Sequence, residues 1–181
     1  MENLTQEALR NGGDYCDLFF ENTTIWSLML KDSEVTSGGY HRDYGCGIRV
    51  LNGEKTGYAY SESTDYTSLL KAAQAASAIS NSAGDPTRAG YKGVEIKGIN
   101  DFYPMNKDLR EAPPSGFVPL LRKLDSAIRA ADTRVIKVVA GLSYSISEIL
   151  MYNSLGELTE DLRPLCSLNC LLYTSPSPRD Y

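Results

Sequence analysis

The residues of this chain that could perform chemistry begin with its single histidine, His41. One histidine excludes from the chain any site that needs two of them, which covers most zinc enzymes. It also leaves a Ser-His-Asp or Cys-His mechanism only one base, and that base needs a nucleophile and an orienting carboxylate close by in space. The sequence around His41, Tyr40-His-Arg-Asp-Tyr44, does not show such a constellation, so a catalytic role for His41 is the disfavoured interpretation.

Two glycine motifs and one pair of carboxylates match known binding sites only in part. Gly45-Cys-Gly47 begins like a dinucleotide-binding motif, but Val50 stands where its third glycine belongs and no helix is expected to follow. Gly53-Glu-Lys-Thr56 lacks the remaining residues of a phosphate loop and is better interpreted as a hairpin turn. Asp14 and Asp17 are three residues apart, which places them on opposite faces of a strand. We interpret them as a turn residue and a surface carboxylate.

The four cysteines, at positions 16, 46, 166 and 170, include no C-x-x-C pair. Without a secretory context, a disulfide framework is not expected. Cys16 lies in an apolar run and Cys46 lies between two glycines, so both are predicted to be small packing residues. The sequence therefore predicts no catalytic, cofactor-binding or metal-binding residue in this chain.

Composition narrows the choice of partner and compartment. The 181 residues include 18 Lys plus Arg and 23 Asp plus Glu, for a net charge of −5. Binding along a nucleic-acid backbone requires clustered basic residues, so an acidic chain disfavours it. The polar N-terminus does not resemble a secretory signal, and no apolar run approaches the roughly 20 residues that span a bilayer. We predict a cytoplasmic protein that binds neither nucleic acid nor membrane.

The C-terminal residues have a separate explanation. Residues 170–180 read Cys-Leu-Leu-Tyr-Thr-Ser-Pro-Ser-Pro-Arg-Asp, and this stretch resembles, residue for residue, the translation of a transposase sequencing-library adapter. The alternative is a disordered Ser/Pro tail, which the composition permits. We expect residues 1–169 to be one incomplete N-terminal domain, cut off by the end of an assembled contig, and residues 170–181 to be a non-native tail.

The periodicity of apolar residues changes along the chain. An antiparallel meander is predicted first, with a tight connection at Glu21-Asn22 and a hairpin at Asn52-Gly53. Its predicted strands are Tyr15–Glu21, Thr23–Lys31, Tyr44–Leu51 and Lys55–Tyr60.

An Ala-rich helix with Asp65 as its N-cap then runs to about Asn81. A long connection rich in proline and glycine follows, with one short strand near Val94–Lys97. The second predicted helix has Phe117, Leu121, Leu124, Ile128 and Ala131 on one face, with Pro119 in its first turn and Arg122, Lys123, Asp125 and Arg129 largely outside that face.

Strand periodicity returns near the end of the chain. The predicted strands are Arg134–Ser143, with Ile136, Val138, Ala140 and Leu142 on one face, then Ser145–Asn153 and Glu157–Leu168. The predicted fold class is α+β, with antiparallel β-meanders and two helices packed on one face. A sheet that stops at Glu157–Leu168 would leave an unpaired strand edge there.

Several of these segments together resemble a known family. Gly13-Asp-Tyr-Cys-Asp-Leu-Phe-Phe-Glu21, Asp43-Tyr-Gly-Cys-Gly-Ile-Arg-Val50 and Gly53-Glu-Lys-Thr-Gly-Tyr-Ala-Tyr60 are similar to the N-terminal region of the TldD branch of the TldD/PmbA metallopeptidases. The Ala-rich helix, Asp132-Thr-Arg-Val135 and Asp161-Leu-Arg-Pro164 continue the resemblance in order.

The resemblance implies an N-terminal domain with antiparallel strands, followed by a β-rich domain whose zinc is held by a His-Glu-x-x-x-His helix. This sequence has no such motif, and the cut near residue 169 falls before the position at which the family carries it. The expectation is an N-terminal fragment of a cytoplasmic zinc metallopeptidase acting on peptides, which supplies scaffold, substrate access and part of an interface with a TldE/PmbA-like subunit. The alternative is a non-catalytic PmbA/TldE-like partner subunit or a binding module.

Overall fold

The computed structural model describes residues 1–79, 95–96, 103–104, 109–110 and 112–175. Five long strands form an antiparallel sheet with a short sixth strand at one side, in the order β3-β2-β1-β5-β6-β4. The α+β class is confirmed. The helices are α1 (Glu2–Ala8), α2 (Tyr66–Ile79) and α3 (Val118–Ala131), with a 3₁₀ turn at Pro114–Phe117; the strands are β1 (Tyr15–Lys31), β2 (Glu34–Asn52), β3 (Lys55–Ser61), β4 (Glu95–Ile96), β5 (Val135–Asn153) and β6 (Glu157–Thr174).

The chain divides into two compact units, each of which takes segments from the long strands. Unit 1 consists of Met1–Thr23, Asp43–Phe102 and Ser147–Leu162, and unit 2 consists of Thr24–Arg42, Tyr103–Ile146 and Arg163–Tyr181. Within the described ranges, none of the helices has the length and apolar character that crossing a membrane requires.

The hydrophobic core of unit 1 lies between two helices and the inner face of the sheet. Alternate residues of β1 and β2, among them Leu18 and Ile48, are fully buried against α1 and α2. Asp65 caps α2 as predicted, because its Oδ1 accepts the backbone N–H of Ser68 at 3.0 Å. The hydroxyl of Ser63 also donates to this carboxylate, and the two serines lower the pKa of Asp65.

One helix differs from what the sequence predicts. Helix α1 was not predicted; it has no side-chain cap, and its inward residues Leu4 and Ala8 are buried in the core of unit 1. A helix this short depends on tertiary packing rather than on local propensity.

The predicted end of α2 near Asn81 lies outside the described residues. The predicted short strand is confirmed as β4, which pairs in parallel with Glu157 and Leu158.

The predicted connection at Glu21-Asn22 is wrong, because β1 continues through it. The polar residues that suggested a turn are bonded across to β5. Asn22 Nδ2 donates to the carboxylate of Glu148 at 2.6 Å, and the hydroxyls of Thr23 and Ser147 lie 2.7 Å apart. Cross-strand polar pairs of this kind stabilise the pairing of β1 with β5 at the point where the sequence suggests a break.

The hairpin between β2 and β3 is confirmed, with its loop one residue further along than predicted. Asn52 pairs with Lys55, so Gly53 and Glu54 form the loop, and Gly53 has a φ of +56°. The carboxylate of Asp14 accepts the backbone N–H of Gly53 at 2.7 Å. Asp14 is therefore the turn residue that the sequence predicts, and it stabilises a turn distant from it in the chain.

The core of unit 2 is built on aromatic stacking and on α3. The ring of Trp26 stacks on that of Tyr144, with centroids 4.9 Å apart, and Phe117 lies 5.4 Å from Tyr144 on centroids. The predicted break before Ser145 is wrong because Tyr144 and Ile146 continue the buried face of β5. Ile136 shares this face through strand alternation, as predicted, but it is exposed at the start of β5.

The position of Asp125 on α3 differs from the prediction. Leu121 is fully buried as predicted, but Asp125, one helical turn further on, is only 3% exposed. The sequence placed it outside the apolar face. Its burial is explained by the hydrogen bonds described below, because a buried carboxylate is tolerated when it is paired.

The outer side of β6 is largely open. Among the described residues, β4 pairs with β6 only at Glu157 and Leu158, so the free edge is shorter than predicted at its start. Leu165 is 70% exposed and Leu168 is 52% exposed. An exposed apolar strand edge is a template for pairing with another chain.

We expect Leu165→Lys to raise the fraction of this chain that remains soluble, because a charge on an edge strand opposes edge-to-edge pairing. The measurement is the soluble fraction after expression, with light scattering of the purified chain. The matched control is Ile79→Lys, which adds the same charge at an exposed apolar residue of α2. Equal improvement by both variants would contradict an edge-specific effect.

The two buried thiols provide a test of the core of unit 1. Burial raises the pKa of Cys16 and of Cys46 to about 12, and Cys166 is exposed. Because the thiolate is the reactive form, we expect Cys16 and Cys46 to react with iodoacetamide at pH 8 about a thousandfold more slowly than Cys166. Mass spectrometry of the alkylated peptides measures this, with guanidinium-unfolded chain as control. Native labelling of Cys16 at the rate of Cys166 would contradict the described core.

Candidate functional site

An ion pair lies on the outer face of the unit 1 sheet, opposite the helices. Cys16 and Leu18 point inward, so Asp17 points outward, as does Arg49 on β2. Arg49 Nε donates to Asp17 Oδ2 at 3.1 Å, and its Nη2 donates to the same oxygen. These hydrogen bonds and the charge of Asp17 raise the pKa of Arg49. The interpretation of Asp17 as a surface carboxylate is therefore wrong, because it is a buried ion-pair partner.

Two tyrosines of β3 lie across the glycines of β2 on this same face. Gly47 pairs with Tyr60 and Arg49 pairs with Tyr58, and directly paired residues share a face. A Cβ built on Gly47 would lie 2.6 Å from the Tyr58 hydroxyl, and one on Gly45 would overlap the ring of Tyr60. Glycine at these two positions is what allows the rings to lie against the strand.

The dinucleotide motif that Gly45 and Gly47 begin is excluded by this geometry. Both glycines lie within β2, which continues into the hairpin and not into a helix. The tyrosine rings occupy the space that a bound phosphate would need beside them. Their contribution is an exposed aromatic surface, and the Tyr60 hydroxyl donates to the carbonyl of Tyr44 at 2.8 Å.

His41 and the thiols of Cys16 and Cys46 lie in different environments. His41 lies in β2 with its side chain exposed. Cys16 and Cys46 are buried, and their raised pKa values make them poor nucleophiles. Within the described part of the chain, no three His, Cys, Asp or Glu side chains are placed to hold a metal ion. These residues do not fit a zinc site, so no zinc chemistry is assigned to them.

Unit 2 contains a second polar cluster, around the β1–β2 hairpin. Its loop residues Asp32 and Ser33 have φ values of 50° and 65°, a conformation that two-residue hairpins favour and that non-glycine residues rarely adopt. The backbone N–H of Val138 donates to Asp32 Oδ1 at 3.0 Å, and together with Arg129 it lowers the pKa of Asp32. The sequence gives little sign of this turn, because Asp-Ser lacks the glycine that marks such hairpins.

Asp125 is the residue that connects α3 to this hairpin. Its Oδ2 accepts the hydroxyl of Ser33, and its Oδ1 accepts Arg129 Nε at 3.1 Å. Arg122 Nε also donates to the carbonyl of Ser33, at 3.2 Å. The cluster therefore has a structural explanation, since it holds a strained turn against a helix.

We expect Asp125→Ala to lower the free energy of unfolding of unit 2 by about 2–3 kcal/mol, because Ser33 and Arg129 lose a buried charged acceptor. Urea unfolding followed by the fluorescence of Trp26, the single tryptophan, measures it. Asp125→Asn keeps an acceptor oxygen and should lose about half as much. Ser126→Ala, at an exposed position of the same helix, is the control; an equal effect there would contradict the role of Asp125.

Comparison with family models assigns the two halves of the chain to successive domains of one family. Residues 16–80 match domain 1 of the PmbA/TldA metallopeptidases, and residues 107–180 match the central domain of the same family. The two matches together cover more than half of the chain.

Curated relatives are similar along most of the chain. A protein named metalloprotease TldD homolog from Haemophilus influenzae is 33% identical over 156 residues, which cover 86% of this chain and 32% of the relative. A TldD homolog from Buchnera aphidicola subsp. Schizaphis graminum is 32% identical over 157 residues, which cover 84% of this chain and 31% of the relative. The chain thus spans about a third of the length of these relatives.

Solved structures share the fold at lower identity. TldE from Thermococcus kodakarensis superposes with a TM-score of 0.64 at 19% identity, over 95% of this chain and 38% of that one. A Bacteroides thetaiotaomicron protein named as a candidate modulator of DNA gyrase gives 0.68 at 15% identity, over 95% and 40%. The structures show the fold, and the two successive domain matches show that the chain belongs to the PmbA/TldD metallopeptidase family.

Proposed function

We propose that this chain is the N-terminal part of a TldD-like zinc metallopeptidase that acts on peptides in the cytoplasm. The observation that carries the proposal is the 32–33% identity to proteins named TldD homologs over 84–86% of the chain. Because the chain spans about a third of those proteins, the proposal assigns the zinc ligands to the remaining two thirds. The free thiols of Cys16 and Cys46 agree with a reducing compartment.

In this proposal residues 1–169 form scaffold, substrate-access wall and subunit interface, and residues 170–181 are a non-native tail. The open outer face of unit 1 and the exposed edge of β6 support the first part, because both are surfaces that a monomeric domain usually covers. A TldE/PmbA-like subunit is the proposed partner. The support for it is the fold shared with TldE from Thermococcus kodakarensis.

The second candidate is a non-catalytic subunit of the PmbA/TldE type. The TldE structure supports it through a TM-score of 0.64 over 95% of the chain. At 19% identity that likeness extends to the fold alone, whereas the curated relatives at 32–33% carry the TldD name. The TldD proposal is therefore the better supported one.

Sequencing the gene from its source DNA, across residue 169, tests the proposal. We expect a reading frame that departs from residues 170–181, continues for about twice the present length and contains His-Glu-x-x-x-His. The motif places two histidines one helical turn apart, and its glutamate can activate bound water. A frame without this motif would overturn the TldD proposal in favour of the partner subunit.

The product of the complete gene should bind about one zinc per chain, measured by plasma emission spectrometry, and cleave unfolded peptides. Chelation should abolish cleavage and added zinc should restore it. The matched variant replaces the motif glutamate by glutamine, which should retain zinc and lose at least a hundredfold in turnover. A complete protein that contains the motif yet holds no zinc would contradict the proposal.

A further inference from the structure

The outer face of unit 1 presents tyrosine rings to solvent. Helices α1 and α2 pack against the inner face, where Ile48 and Val50 are buried. On the outer face Tyr58 is 56% exposed and Tyr60 is 53% exposed. Large aromatic side chains grouped at this level of exposure are typical of binding surfaces.

These rings are held in place before any partner arrives. The rings of Tyr58 and Tyr60 lie against Gly47 and Gly45, and the Tyr60 hydroxyl donates to the Tyr44 carbonyl at 2.8 Å. Rigid aromatic rings lose little conformational entropy on binding, which favours them as recognition elements.

The charge around the rings is negative. The pKa of Tyr60 is raised by partial desolvation and then by three nearby carboxylates, those of Glu62, Asp43 and Glu21. Arg49, a cation on this face, is bonded to Asp17. We call the set Tyr58, Tyr60, Glu21, Asp43 and Glu62 the acidic tyrosine surface.

We infer that the acidic tyrosine surface binds extended polypeptide segments that carry lysine or arginine, with the cationic groups over the rings of Tyr58 and Tyr60. Cations are attracted to aromatic faces and to carboxylates alike, and the two attractions coincide here. The same carboxylates repel nucleic acid. The choice of a peptide as occupant rests on the proposed function, and it gives the enzyme a preference for basic stretches of its substrate.

The test is fluorescence anisotropy of the full chain with labelled twelve-residue peptides of alternating Gly-Arg, Gly-Ser and Gly-Glu. The Gly-Arg peptide should bind at least tenfold more tightly than the Gly-Ser peptide, and 0.5 M salt should remove most of that difference. The double variant Tyr58→Leu with Tyr60→Leu keeps apolar bulk over the glycines and should weaken Gly-Arg binding about tenfold. Tyr66→Leu, at an exposed tyrosine of α2, should change it less than twofold.

A second variant leaves every tyrosine in place. Gly47→Ala pushes the Tyr58 hydroxyl end away from β2, and it should weaken Gly-Arg binding severalfold without loss of Cys16 and Cys46 protection from alkylation. Equal binding of the three peptides, or equal loss in Tyr66→Leu, would overturn the inference. So would a dimer in sedimentation that only the double variant dissociates, since this face would then be covered by a second copy.

Failure of this inference is distinguishable from failure of the proposed function. Peptide binding by the acidic tyrosine surface is measured without zinc and without cleavage. A complete enzyme that cleaves peptides while this chain shows no preference for Gly-Arg overturns the inference alone. A gene without the zinc motif overturns the proposed function and leaves the measured binding unchanged.

Discussion

The constraint on which the rest of unit 1 depends is the burial of one face of β1 and β2 beneath α1 and α2. Because side chains alternate along a strand, fixing Leu18 and Ile48 in the core fixes the direction of Asp17 and Arg49 as well. A slip of one residue would place an ion pair in the core and two large aliphatic side chains in solvent, at several kcal/mol. The register of the sheet therefore determines the positions of the ion pair and of the tyrosine face together.

Unit 2 solves a different problem, which is how to turn the chain without glycine. Asp32 and Ser33 hold a left-handed conformation that costs each of them free energy. The compensation comes from outside the turn, through the carboxylate of Asp125 on α3 and the backbone of β5 at Val138. The aspartate that interrupts the apolar pattern of α3 is the residue that connects this helix to the turn.

The parts of the fold that the sequence predicts are those encoded by neighbours in the chain. The β2–β3 hairpin, the Asp65 cap and the apolar stripe of α2 follow from local chemistry, and they are present, although Ile79 at the end of that stripe is exposed. The breaks predicted at Glu21-Asn22 and at Tyr144 are wrong because Asn22 is bonded to another strand and Tyr144 stacks on a distant ring. A local window of sequence contains neither partner.

The same reasoning explains what was missed at the candidate site. The sequence does not predict the roles of Asp125 and Arg49, because their hydrogen bonds span 92 and 32 residues of sequence. The sequence does contain a sign of the tyrosine surface. Gly45-Cys-Gly47 and Tyr58-Ala-Tyr60 lie on the two strands of one hairpin, and in each segment the glycines or the tyrosines occupy alternate positions. Placing the hairpin is enough to put the glycines and tyrosines on one face.

That arrangement is hard to explain as sheet stability alone. Glycine within a strand costs roughly 0.5–1 kcal/mol relative to alanine, and β2 carries it at two successive outward positions. Tyrosine rings packed over such glycines recover part of the loss, but alanine under a smaller polar residue would avoid it entirely. Because glycine has no side chain, Tyr58 and Tyr60 can lie along the sheet with their rings towards solvent. A face that only met water would gain nothing from this placement, whereas a face that receives another polypeptide gains a flat, rigid aromatic contact.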